Sequence, residues 1–369
     1  MSLLEFITAV PWDVRRGSGC YIGTRTLVQA LRELGIDVAL VTPGTVTPNY
    51  TVTRVLFNET LRWRRFRGEA TIGIDADGYA IAGKVAGRPH IACIKGVLAD
   101  AVRFERGATR VSMALQARLE AEHVRRAALV ITVSQYCVAR LEELYGVCGA
   151  VVVPELIDLR GWRRLFQANP AVPDPRRFTV LCVCRFYPRK RLDVLLRAAA
   201  LLRDRLPQLA VRIVGGGPEY QRLRHLSFEL RVEECVHWVG DVGLNQLAAE
   251  YNRSNVFCLP SAQEGFGIVF LEAMAAKKPI IAARAAAVPE VARNGILVEP
   301  ENPEALADAM LRLYRDPDLC RSLAGAGTRQ VEEFEMGRVA AQFVNEIARV
   351  APAIRMRQTV PYQRPTSFS

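Results

Sequence analysis

Apolar residues in this chain gather into short unbroken runs, and the stretches between them repeat at helical spacing. The runs at Leu3–Val10, Asp37–Val41, Ala70–Ile74, Ile91–Ile94 and Leu129–Val133 read as strands buried on both faces. So do Phe178–Cys184, Val211–Val214, Cys235–Gly240, Val256–Leu259 and the pair Ile280-Ile281. The intervening spacing predicts helices over about Ile22–Leu34, Ser112–Arg126, Gln135–Tyr145, Leu244–Tyr251, Pro303–Tyr314 and Arg329–Val350. Further helices follow Asp193, Glu219 and Ile268, the last closed by Lys277, Lys278 and Pro279, with the lysines favouring the negative helix end. Strand and helix alternate throughout, which is the pattern of an α/β fold with parallel sheets. A length of 369 residues suits two domains at roughly 150 residues each. The proline-bearing 169–175 is the expected linker between a domain over 1–168 and another over 176–345. The tail 346–369, proline-rich and basic from Ala351, is expected to be partly flexible.

The stretch from Val256 to Ala283 carries the clearest chemistry. A strand is followed by Gln263-Glu264-Gly265-Phe266-Gly267, where two glycines permit a tight turn and close approach to a ligand. A helix opening from such a loop presents unpaired N–H groups and partial positive charge, here from Gly265, Phe266, Gly267, Ile268 and Val269, and can hold a phosphate. Glu264 and Glu272 cannot serve a phosphate, but carboxylates accept from the paired hydroxyls of sugars and riboses. One loop and helix could therefore grip a sugar, a diphosphate and a ribose. In the second predicted domain, Arg185-Phe186-Tyr187-Pro188-Arg189-Lys190-Arg191 places four basic residues before a helix, where they oppose the dipole unless an anion joins them. Gly215-Gly216-Gly217 forms another strand-to-helix turn.

Glu264 and Glu272, with seven residues between them in the string E-G-F-G-I-V-F-L-E-A-M, resemble the signature of the retaining glycosyltransferases of family four, also called group 1. The resemblance is strong over 178–300. It implies the GT-B fold: two facing Rossmann-like domains with parallel sheets and an interdomain cleft, the first binding acceptor and the second donor. It implies Glu264 on sugar hydroxyls, Glu272 on the ribose, Arg185 and Lys190 on the diphosphate, and Gly215 near the nucleotide. The implied reaction moves a sugar from a nucleoside-diphosphate sugar to an acceptor hydroxyl with retention, the departing phosphate assisting front-face attack. Neither metal nor cofactor is called for, and the acceptor is a glycan, a lipid-linked or a small-molecule hydroxyl. Two further readings stay open: another GT-B enzyme, such as an epimerase or phosphorylase, or a sugar-nucleotide-binding protein without catalysis.

The first domain offers weaker candidates. Gly17-Ser18-Gly19 is either a cradle facing the cleft or a plain turn; G-x-G-x-x-G fails at Ile22, which disfavours a dinucleotide cofactor. Asp75 and Asp77, at a strand's carboxyl end, bind acceptor hydroxyls or cap a helix. Lys95 stands where relatives carry a histidine, and is free to bind a donor or acceptor anion or to pair with Asp100. Glu155 replaces a small polar pair in a turn, and Lys278 and Ala285-Ala286-Ala287 replace glycines, so those loops are expected to be reshaped.

Charge adds one question. The net +11 is spread, with 22 basic against 16 acidic residues in 1–170 and 27 against 22 beyond, which argues against a nucleic-acid partner. The densest cluster, Arg62-Trp63-Arg64-Arg65-Phe66-Arg67, is a solvated basic face or a contact for anionic lipid. Nine cysteines without framework spacing fit small core residues in a reducing cytosol, and four scattered histidines support no metal site. With no long apolar run and no basic region before the first one, the chain is expected to be cytoplasmic, with the inner membrane face as a peripheral contact.

Overall fold

The structure, a computed structural model, describes residues 3–9, 19–83 and 87–355. They fall into two compact units, one holding the described residues up to 156 and from 334 onward, the other 157–333. Each is built on one six-stranded sheet with all pairings parallel.

In the first unit the strands are β1 (Leu3–Ile7), β2 (Asp37–Val41), β3 (Ala70–Ile74), β4 (His90–Ile94), β5 (Leu129–Thr132) and β6 (Val151–Val152), ordered β2-β1-β3-β4-β5-β6. β3 and β4 are buried at every residue, as their unbroken apolar runs require. Leu27 and Leu31, on the helix Gly19–Glu33, pack against Leu4, Phe6 and Ile72. The helix Met336–Ile347 closes the same core with Val339, Phe343 and Val344, Phe343 stacking on Phe6 at 6.3 Å between centroids.

Far apart in sequence, His90 and His123 meet at 2.7 Å between their Nε2 atoms. The Asp75 carbonyl can only accept, so the His123 Nδ1, 2.5 Å away, carries a proton and donates to it. His123 Nε2 must then accept from His90 Nε2–H, and the Thr71 hydroxyl donates to His90 Nδ1 at 2.8 Å. Burial holds both imidazoles neutral, pushing His90 well down and His123 to about 4.

The second unit carries β7 (Phe178–Val183), β8 (Leu209–Val214), β9 (Val236–Gly240), β10 (Val256–Leu259), β11 (Ile280–Ala283) and β12 (Ile296–Val298), ordered β12-β11-β10-β7-β8-β9. The chain runs outward from β7 to β9, then returns to the other side of β7 as β10. The loops leaving β7 and β10 therefore part to opposite faces and leave a crevice at their carboxyl ends.

Several expectations shift. The units divide at Leu156/Ile157 and again at Glu333/Phe334 rather than within 169–175 or at 345. The reason is packing: the helix Leu159–Ala168 buries Trp162 edge-on against Tyr251 of the second unit, with ring centroids 5.9 Å apart. The helix expected over Arg329–Val350 is interrupted by a 3-10 turn at Val331–Phe334, and a separate helix, Pro317–Gln330, precedes it. The helix from Ile268 ends at Ala275, where Lys277 takes a left-handed φ of 58° and the Lys277 and Lys278 N–H groups reach back to Met274 and Ala273. The Lys278 ammonium instead donates to the Asn252 and Ser254 carbonyls at 3.0 and 2.8 Å, at the end of the helix Leu244–Arg253, and burial lowers its pKa to about 8.

In the alanine run the loop keeps a left-handed turn despite the missing glycine, with φ 52° at Ala286. That turn delivers the Ala287 N–H to the Glu264 carbonyl at 3.3 Å. An L-residue there carries a strain that glycine lacks, offset in part by glycine's looser unfolded chain. Ala286→Gly is therefore expected to raise unfolding stability by about 0.5–1 kcal/mol. Urea denaturation checks it, and an unchanged or lower midpoint would count against a strained turn.

Candidate functional site

The crevice between β7 and β10 gathers the residues singled out in the second unit. After β7 the chain passes Arg185, makes a 3-10 turn at Pro188–Lys190, and enters the helix Leu192–Leu202. After β10 it passes Ser261 and Glu264 and enters the helix Ile268–Ala275. The Ala262 N–H donates to the Arg189 carbonyl at 2.8 Å and ties the two loops together. Across that tie the Lys190 ammonium pairs with Glu264 Oε1, which also accepts from the Ser261 hydroxyl at 2.9 Å. Both charged side chains are largely buried, so the pair is weakly screened and its orientation is set by several partners.

Two glycines are required by space as well as by torsion. Gly267 has φ 93°, and a Cβ there would lie 2.6 Å from the Phe270 ring. It precedes a helix whose first turn has no side-chain cap. Phe266 and Ile268 are buried beside it, and Val269 is half-buried. Gly215 has φ 119°, and a Cβ would fall 2.0 Å from the Cys184 carbonyl oxygen. This glycine lets the loop after β8 press on the loop after β7, where the Phe186 N–H donates to the Gly216 carbonyl at 3.0 Å. Gly215 thus supports the backbone beside Arg185, a role that packing alone accounts for.

Arg185 does not join Lys190 and Glu264 in any recorded contact. Its Nη1 donates to both oxygens of Asp241, just after β9, at 2.9 and 3.2 Å. Glu272 sits in the body of its helix, buried, and Oε2 accepts from the hydroxyl of the fully buried Tyr251 at 2.9 Å. Burial raises its pKa to about 7, against which the Tyr251 hydrogen bond works. Ser261, Tyr251 and Asp241 escaped the sequence reading. Ser261 lies three residues before Glu264 and had a local signal; Tyr251 and Asp241 reach their partners only through the tertiary fold.

In the first unit the structure resolves the open readings. Asp77 is fully buried. It accepts from the Ala9 N–H at 2.7 Å and from Asn58 Nδ2 at 3.1 Å, and pairs with Arg54 at 3.0 Å, so it neither binds an outside hydroxyl nor caps a helix. Lys95 pairs with Glu155 at 3.0 Å, not with Asp100, which holds Arg103 and Tyr136. Both partners of the Lys95–Glu155 pair are buried, and the attraction of Glu155 raises the ammonium's pKa against the pull of burial. Gly23 makes room, since a Cβ there would lie 2.2 Å from Glu155 Oε2. Asp75, in a left-handed conformation with φ 54°, accepts from the Lys95 N–H at 2.8 Å and from Cys20 Sγ at 3.3 Å. Lys95 and Glu155, singled out separately in the sequence, are thus each other's partner. Gly17 lies outside the described residues; Gly19 starts its helix with open space where a Cβ would point.

Two parallel α/β units, the second with a crevice at its strand reversal, define the class. Solved structures extend the likeness to nearly the whole chain. Sucrose-phosphate synthase from Thermosynechococcus elongatus is 22% identical with a TM-score of 0.80, covering 96% of this chain and 100% of that one. Anabaena Alr3699/HepE in complex with UDP and glucose is 18% identical with a TM-score of 0.69, covering 94% and 99%. The fold is GT-B, with two Rossmann-like domains. By sequence, residues 165–330 match the family model of glycosyl transferases group 1. Over 165 residues the chain is 36% identical to a GDP-mannose-dependent alpha-(1-6)-phosphatidylinositol monomannoside mannosyltransferase of Mycobacterium tuberculosis, 42% of this chain and 43% of the relative. Over 162 residues it is 35% identical to a D-inositol 3-phosphate glycosyltransferase of Streptomyces griseus, 41% and 34%. The chain spans less than half the length of these curated relatives.

Two predictions follow from the buried charges. Glu272 holds its proton more tightly when folded, so the stability it contributes is complete below about 4.5 and lost as pH rises through about 7. Glu272→Gln, which keeps a partner for Tyr251, should gain on the parent by roughly 2 kcal/mol between pH 5 and pH 8. Parallel denaturation curves at the two pH values would contradict the assignment. Lys95→Met should cost about 3 kcal/mol by leaving Glu155 buried without a counter-charge, and adding Glu155→Gln should recover most of it. Additive losses in that double-mutant cycle would mean that the pair does not act as one.

Proposed function

We propose that this chain is a metal-independent glycosyltransferase that moves a sugar from a nucleoside-diphosphate sugar to an acceptor hydroxyl with retention. The observation that carries the reading is the meeting of Lys190 and Glu264 at the β7/β10 reversal, within the segment that matches the group 1 model. Glu264 accepts from the sugar hydroxyls while Ser261 and Lys190 hold its carboxylate in place. Lys190 and Arg185 neutralise the diphosphate, with the N–H groups from Gly265 to Val269 completing its binding. Arg185 exchanges Asp241 for phosphate on the way; both side chains are partly exposed, so the exchange costs little. Glu272 takes the ribose by turning from Tyr251. Charge builds on the departing phosphate oxygen, which in turn receives the acceptor proton on the face where the new bond forms.

The names of the relatives support a donor such as GDP-mannose and an inositol-bearing, lipid-linked acceptor. A thermal-shift series with UDP-, GDP-, ADP- and dTDP-sugars identifies the base, because a ligand bound only by the folded chain raises its melting temperature. With that donor, Glu264→Gln should reduce transfer by about a hundredfold or more, while a cooperative melt, lowered by the loss of the Lys190 counter-charge, shows that the variant still folds. Full activity in the variant would refute the role given to Glu264.

A further inference from the structure

We propose that one face of the first unit docks on an anionic lipid bilayer. The face is formed by the helix Tyr50–Leu61, the segment Arg62–Arg67 and the helix Gly107–Arg126. The helix Tyr50–Leu61 buries Thr53, Arg54 and Asn58 beside Phe57 and Leu61, and turns Val52 and Leu56 outward at 45% and 56% exposure. Trp63 continues that stripe at 89%. The helix Gly107–Arg126 likewise buries Gln116, Glu120 and His123 beside Ala117, Ala121 and Val124, while Val111 and Leu115 stand out at 72% and 46%.

The outward apolar stripe has a structural cause. Arg54 pairs with Asp77 and donates to Gln116 Oε1 at 2.7 Å, and Asn58 donates to Asp77, so the polar side chains hold the two helices to the unit and rotate the apolar ones to the surface. The stripes are contiguous. Thr51, beside Val52, meets Ser112, beside Val111, at 2.6 Å between hydroxyls, and Gln116, beside Leu115, donates to Thr51 at 2.8 Å. Water gains nothing from such an arrangement; an apolar partner does.

Charge selects the partner. Exposed arginines rim the stripes at Arg64, Arg65, Arg67, Arg106, Arg110 and Arg118, and no ion pair is recorded for any of them among the described residues. Arginine extends its apolar stem along a bilayer surface while its head group meets phosphate, and tryptophan settles at the boundary of head groups and acyl chains. A nucleic acid would use the arginines and leave Val52, Leu56, Val111 and Leu115 without a role. The apolar stripe and the basic rim together fit an interfacial helix face on anionic phospholipid.

Sedimentation with vesicles tests this on the full chain. The protein should pellet with phosphatidylcholine vesicles containing phosphatidylglycerol, not with phosphatidylcholine alone, and added salt should weaken the binding. Arg64→Ser and Arg65→Ser should each lower the partition coefficient about fivefold. Leu56→Ser with Trp63→Ser should lower it further at high salt, where the apolar part remains. All four positions are exposed, so melting should not change. Equal binding to both vesicle types, wild-type partitioning by the variants, or preference for double-stranded DNA over vesicles at equal phosphate would each overturn the proposal. No sugar nucleotide enters the assay, so its failure leaves the transferase reading standing.

Discussion

The reversal of strand order beside β7 is the constraint from which the second unit's chemistry derives. A parallel sheet sends every strand's carboxyl end to one edge, and the single change of direction opens a crevice only where β7 and β10 lie side by side. Lys190 and Glu264 leave those two strands and meet there. The neighbouring loops serve the same crevice: Gly215 lets the β8 loop support Arg185, and Ala287 bonds the main chain of Glu264 from the β11 loop. The arrangement is held by backbone contacts, which gives the side chains fixed starting positions.

The first unit solves a different problem, that of burying charge. Arg54 with Asp77, and Lys95 with Glu155, are ion pairs almost wholly removed from water. Each is stable only because both partners are present, and Asp77 also accepts from the Ala9 N–H and Asn58. Arg54 and Asp77 link the helix Tyr50–Leu61 to the turn after β3, and that link decides which side of the helix faces outward. Polar residues that would ordinarily solvate a surface are here interior struts, and the surface left behind is apolar between arginines.

Ten of the twelve described strands were legible because parallel strands buried on both faces leave unbroken apolar runs; the two short edge strands β6 and β12, Val151–Val152 and Ile296–Val298, were not expected. Glu264 and the glycine loop were legible because their chemistry is local. Helix limits were less so: the end at Ala275 depends on Lys277 taking a left-handed torsion, a conformation that composition disfavours. Prolines mark an extended backbone, whereas Trp162, ahead of them, marks where the chain joins the core of the second unit.

Sequence by itself determined the α/β class, the parallel sheets, the two-part organisation and the loop-helix that carries Glu264, since each rests on periodicity or on neighbours within a few residues. Only the tertiary structure decided which charges are free. Lys95 is held by Glu155, Arg185 by Asp241, Glu272 by Tyr251 and Asp77 by Arg54, partners between 21 and 60 residues apart in the chain. Pairing falls off with distance in space, and distance along the chain carries almost no record of it.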